Sequence, residues 1–131
     1  KIASYADSGY SMLSRNDPLF LIDVNPMAGK KISTIETQLD KIIESLKKDL
    51  VSKKELDRIK AQVLASEVYQ RDSIDYQARV LGMIKTSIGD ISLIDKYTSN
   101  IASVTAKQVR EVARKYLISN LKTVVKVNSN E

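Results

Sequence analysis

The chain has 131 residues, 43% hydrophobic and 28% charged, with a net charge of +5; this is the make-up of a globular domain with a moderate core, and no apolar run approaches the ~20 residues that span a bilayer. It contains neither cysteine nor histidine, which excludes disulfides, zinc sites built from thiolate or imidazole, a cysteine nucleophile and any triad with a histidine base. The basic residues fall in scattered pairs (Lys30-Lys31, Lys47-Lys48, Lys53-Lys54, Arg114-Lys115), and with one Phe and no Trp for base stacking they read as solvated helix faces rather than a nucleic-acid groove.

The opening stretch IASYADSGYSML lacks a helical period and reads as a strand. SRNDP (Ser14 to Pro18) supplies turn chemistry, and LFLIDVN follows as a second strand, with Phe20, Ile22 and Val24 on one face. Pro26 and Gly29 end it. The apolar period then changes from 2 to 3.6. Ile32, Ile35, Leu39, Ile42, Ile43, Leu46 and Leu50 predict an amphipathic helix, with Ser33 and Glu36 as a capping box at its start. Ser52 and Glu55 open the next helix, stapled by Val51 and Leu56. Asp72 or Ser73 caps a third helix carrying Ala78, Leu81, Ile84 and Ile88. Gly82 inside it predicts a close neighbour, since glycine there costs about 1 kcal/mol against alanine. Gly89 fits a helix end and Asp90 a fresh N-cap, before a short helix with Ile91, Ile94, Tyr97 and Ile101.

VTAKQVREVARKYL (Val104 to Leu117) opens on a second capping box, Thr105 and Gln108, with Val104 and Val109 as its staple. Val109, Val112, Ala113, Tyr116 and Leu117 form its predicted buried face, and Arg114 and Lys115 suit the negative end of the helix dipole. Leu121 to Val127 reads as a closing strand. The whole is therefore expected to be one α+β domain over residues 1–131, with an antiparallel sheet covered on one face by about five helices. Three strands are few for five helices, so the sheet is expected to be incomplete, its remainder lying upstream in a longer parent.

The ordered set of these segments resembles the C-terminal portion of a half-molecule in the pitrilysin/insulinase family of zinc metallopeptidases, the inverzincins. It is also similar to mitochondrial processing peptidase and the cytochrome bc1 core subunits. IASYADSGY looks like the family's strand after its Arg-containing helix, and DPLFLIDVNP like the next strand. IETQLDKIIESLKKDLVSKKELDRIKAQV is similar to the long helix, its short cap and the helix that follows. The closest stretch is LGMIKTSIGDISLIDKYTSNIASVTAKQVREVARKYL.

The resemblance implies the non-zinc part of a zinc-dependent metalloendopeptidase, forming the wall of the substrate chamber opposite the zinc half. In the family the zinc and the general base come from H-x-x-E-H. No such motif occurs in this chain, so the chain is expected to carry no catalytic residue, no metal ligand and no activity by itself, with zinc belonging to the parent. The implied partners are a peptide substrate and the zinc-binding half, in the same chain or a partner subunit, with no nucleic acid and no membrane. An open sheet edge adds the expectation of a homo-oligomer. The alternative is a noncatalytic homologue serving as an assembly or protein-binding subunit. Bacterial members are often exported, which leans towards a periplasmic parent.

One site residue is carried over. The family's non-zinc half supplies a tyrosine that hydrogen-bonds the bound peptide, and Tyr5 is the candidate here. Ungapped alignment on Tyr10 puts Ser4, not Tyr5, at that position, and a one-residue shift in a strand reverses the face a side chain takes. Tyr5 as a packing or rim tyrosine therefore stands beside the substrate-contact reading. Glu36, Glu55 and Asp72 are read as caps rather than acid catalysts, and Tyr97 and Tyr116 as core tyrosines with the hydroxyl at the rim.

Overall fold

The structure, a computed structural model, describes residues 1–127. Its order is β1 (Ala3–Tyr10), β2 (Phe20–Pro26), α1 (Ile32–Lys48), α2 (Lys53–Arg71), α3 (Ile74–Ser87), α4 (Leu93–Ser103) and α5 (Ala106–Tyr116), followed by a 3-10 turn at Ser119–Leu121. The fold class is α+β, as the change of period implies. β1 and β2 pair as a hairpin. Met27 N–H donates to Ile2 C=O at 3.0 Å and the Ser4 hydroxyl to Asn25 C=O at 3.2 Å, so the start of β1 lies beside the end of β2. Gly29, at φ +75, turns the chain out of β2, with Lys30 N–H donating to Met27 C=O at 3.0 Å; a side chain there would be strained.

The chain divides into two compact units. The first comprises Lys1–Asp7, Ile22–Val51 and the residues from Ala106 onward; the second comprises Ser8–Leu21 and Ser52–Thr105. In the first unit α1 packs against α5. Ile35 of α1, 8% exposed, and Ala113 of α5, 4% exposed, are its buried apolar residues, and the small alanine lets the helices approach. Arg114 donates through Nε to Lys47 C=O at 2.6 Å. It thereby satisfies an orphan carbonyl at the end of α1, rather than serving only the dipole of its own helix.

In the second unit α2 packs against both α3 and α4, around Ile84, which is 3% exposed. Ser52 Oγ accepts from Glu55 N–H at 3.2 Å, and Ser73 Oγ accepts from Tyr76 N–H at 3.2 Å, so both serines cap as their spacing implies. Ile88 and Gly89 N–H both donate to Ile84 C=O at 2.9 Å, with Gly89 at φ +87, which closes α3 as expected.

Several expectations are corrected. Lys31, not Ser33, is the N-cap of α1, and its side chain makes no capping bond. The helix begins at Ile32, so Ser33 already lies in the first turn, where its hydroxyl cannot take the cap position. Glu36 instead pairs with Lys126 at 2.8 Å. Apart from its chain neighbours and the backbone of its own helix, nothing lies within 4 Å of where a Cβ on Gly82 would stand, so no close packing partner explains it. Val112 and Tyr116 are 56% and 54% exposed, and the buried stripe of α5 is narrower than its apolar pattern. Lys115 Nζ lies 4.9 Å from the Tyr116 ring centroid, which gives the tyrosine a surface partner rather than a core one.

The closing strand is also absent: over its predicted span a 3-10 turn ends at Leu121, and the chain runs on without secondary structure from Lys122 to Val127. A strand needs a ladder, and among the described residues no strand lies alongside this segment. Lys122 instead reaches Asp40 at 2.6 Å and Lys126 reaches Glu36 at 2.8 Å, so the segment is tethered to α1 by side chains.

Burial is sparse. Ile35, Ile84 and Ala113 are the buried apolar residues of the described chain. Every residue of β1 after Ala3 is exposed, as are Phe20, Leu21 and Ile22 of β2.

Candidate functional site

Tyr5 sits in β1 and is 51% exposed. Its phenol is held above the ordinary tyrosine pKa, mainly by the negative charge of Asp7. Partial loss of water, a hydrogen bond to Asp7 and a smaller push from Asp23 act in the same direction. The hydroxyl is protonated in the neutral range, as any tyrosine with an ordinary pKa of about 10 is, and can serve as a donor. Chemically the face offers a phenol O–H beside the Asp7 and Asp23 carboxylates. That suits hydrogen bonding to a carbonyl; it lacks a general base with a nucleophile to activate. The structure places Tyr5 on an accessible strand surface, as a substrate contact requires, and an exposed rim tyrosine would lie there equally.

A second place, not legible in the sequence, lies wholly within the second unit. A cleft of about 280 Å³ is lined by Val80, Ile84 and Ile88 of α3 and its end, by Leu93, Ile94, Tyr97 and Asn100 of α4, and by Met12 and Leu13. Glu67 and Tyr76 form its polar wall. Tyr76 donates its hydroxyl to Glu67 Oε2 at 3.2 Å. Arg71 donates through Nε to Glu67 Oε1 at 3.1 Å and through Nη2 to Ile94 C=O at 3.4 Å. One carboxylate on α2 thus ties α3 directly, and through Arg71 ties α4. Lys60 Nζ adds a further bond from α2 to Ala102 C=O, at 2.7 Å, near the end of α4.

Burial raises the pKa of both Tyr76 and Tyr97, and the Glu67 charge adds to this in each; for Tyr76, Arg71 opposes it in part. Both phenols therefore favour the neutral form, Tyr76 on the polar wall with its hydroxyl donated to Glu67 and Tyr97 among the cleft's apolar lining. Glu67 has both oxygens engaged, so its first role is to hold the three helices together, and the cleft is shaped by that knot. No periodicity argument could find it, because Glu67, Tyr76 and Ile94 meet only through helix packing. The nearest sequence signal is the recurrence of tyrosines on helices otherwise dominated by aliphatic residues.

Glu55 and Asp72 stand at helix ends, at the first turn of α2 and at its C-cap. Among the described residues, no group of three or more His, Cys, Asp or Glu side chains is placed to hold a metal ion, and no helix is long and apolar enough to cross a membrane.

No family model matches the sequence, and no curated protein matches it. The solved structures do contain a similar fold. A protease from Helicobacter pylori matches at a TM-score of 0.78 over 92% of this chain, with 22% sequence identity. The match occupies 29% of that protein, so this chain spans less than a third of its neighbour's length. At this identity the likeness establishes a shared fold.

Proposed function

We propose that this chain is the non-zinc, C-terminal part of a zinc-dependent metalloendopeptidase of the pitrilysin/insulinase type, and that it forms the wall of the substrate chamber opposite the zinc half. The observation that carries this reading is the likeness over 92% of the chain to part of a solved protease, and it agrees with the ordered segments that resemble that family. The sparse burial supports it, because an exposed hairpin and a thin core suit a piece of a larger assembly. Residues 1–131 would be a single-domain fragment, the C-terminal portion of one half of that parent, and bacterial export would place the parent in the periplasm.

In this reading the chemistry of peptide hydrolysis belongs to the other half. Zinc there supplies the Lewis acid and the activated water; this chain, lacking its ligands, contributes no step through the metal. Its own contribution is binding. Tyr5 donates its hydroxyl to a peptide carbonyl. The open backbone of the hairpin adds donors and acceptors for an extended peptide.

The alternative, a noncatalytic assembly subunit that binds a partner protein, draws on the same exposed apolar hairpin. Reading the parent gene upstream of Lys1 separates the two. An H-x-x-E-H motif with a downstream Glu is the expected result. A family-like half without that motif would make the chain a noncatalytic subunit, and no family-like half at all would remove both readings.

A further inference from the structure

Helix α2 has two faces of different kinds. Lys60 Nζ donates to Ala102 C=O at 2.7 Å and Glu67 accepts from the Tyr76 hydroxyl at 3.2 Å. Lys60 and Glu67 are seven residues apart, so the line joining them marks the face turned onto α3 and α4. At about 100° per residue, Lys54, Arg58, Ala61, Ala65, Val68 and Asp72 fall on a second line about 130° round the helix from the first. All six are exposed, Val68 at 65%. Asp72 stands at the C-cap with helical backbone angles, so it continues the phase of the helix. The steps between them run four, three, four, three, four, which is the heptad spacing of a seam between two helices.

The stripe is basic at one end, acidic at the other and small in the middle. Its end charges are not spent inside the chain. Among the described residues neither Lys54 nor Asp72 has an ion-pair partner, and Arg58 donates to the neutral amide of Gln62 at 3.1 Å. Such a stripe is complementary to itself run in the opposite direction. When Ala61 of one copy lies across from Ala65 of the other, the same register sets Arg58 across from Val68 and Lys54 across from Asp72. The alanines let the two helix axes approach closely at the centre, and the aliphatic stem of Arg58 covers Val68.

We propose that two copies of this chain associate through α2, antiparallel, with Ala61 against Ala65 at the two-fold axis and Lys54 against Asp72 at each end. Charge sets the direction: a parallel pair would place lysine against lysine and aspartate against aspartate. The contact is isologous, so it closes at the dimer. A seam of five helical turns with alanine at its middle covers a modest area, which makes the association weak and reversible. The proposal uses no residue of the hairpin on which the peptide is placed, and it stands apart from the peptidase reading.

The purified chain is sedimented from micromolar to near-millimolar concentration, beside Ala65→Lys, Lys54→Asp, Asp72→Lys and the double variant Lys54→Asp/Asp72→Lys. Helical circular dichroism checks that each is folded. The wild-type chain should show a monomer–dimer equilibrium, and Ala65→Lys should remain monomeric. Each single reversal should weaken the dimer about tenfold, since two symmetric contacts turn from attraction to repulsion. The double variant should recover wild-type affinity. Residues 54 and 72 lie about 27 Å apart along one helix, so that recovery can arise only between copies. A monomer at every concentration would overturn the proposal. So would a dimer indifferent to Ala65→Lys or to the single reversals, or a double variant no tighter than the singles, because each would remove α2 or its antiparallel register from the contact.

Discussion

Ile84 is the most deeply buried residue of the second unit, at 3% exposure, and its replacement measures how much that small core contributes. Ile84→Ala removes three side-chain carbons. At about 0.8 kcal/mol per buried carbon the transfer loss is about 2.4 kcal/mol. A sealed core would add a cavity penalty and carry the total towards the middle of the usual range of about 2–5 kcal/mol. Ile84 lines an existing cleft, so the new space merges with one already there and that penalty is small. The expected loss is therefore about 2–2.5 kcal/mol. For a chain with a thin core, whose total stability is expected near the lower bound of about 0.05 kcal/mol per residue, this is a third or more of the whole. Ile74→Ala is the control: Ile74 is 82% exposed and its replacement should cost under about 0.5 kcal/mol. Urea titration followed by circular dichroism compares them. Equal losses for the two variants would refute the assignment of the second unit's core to Ile84.

The caps give a matched set. Ser52→Ala and Ser73→Ala should each cost about 1 kcal/mol in the same titration, whereas Ser33→Ala should change stability by only a few tenths; a cost at Ser33 equal to the others would restore the capping box that the structure lacks. Tyr76 and Tyr97, with pKa values raised in the fold, favour the protonated form there. Their contribution is complete below the unfolded tyrosine pKa of about 10 and is lost as pH rises through the folded values. Stability should therefore fall at alkaline pH, and Tyr97→Phe should flatten that fall; an unchanged alkaline slope in the variant would show that the phenol is not coupled to folding.

Local grammar accounts for what the sequence reveals. Ser52 with Glu55, Ser73 and Gly89 act through neighbours within a few residues, and each is found in its expected role. The alternation in LFLIDVN and the 3.6 period in α1 likewise depend only on their own segments. The misreadings involve distance along the chain. Ser33 resembles a cap until the helix is seen to start at Ile32. Tyr116 falls on the apolar stripe of α5, but α1 covers only the part of that stripe centred on Ala113. The tail has strand composition, yet a strand is a relation between two segments, and this segment meets α1 through lysines instead. The knot of Glu67, Arg71 and Tyr76 escaped for the same reason. For the candidate site, Tyr5 was legible as a residue on an open strand, while the Asp7 and Asp23 charges that hold its proton follow from the hairpin.

The most direct test of the account is a peptidase assay of the parent polypeptide and of this chain side by side, each with and without a metal chelator. The account predicts that the parent hydrolyses peptides and loses that activity with chelator, while this chain alone binds no zinc and cleaves nothing. Chelator-sensitive turnover by the chain alone, or a parent that is inert with zinc present, would contradict it.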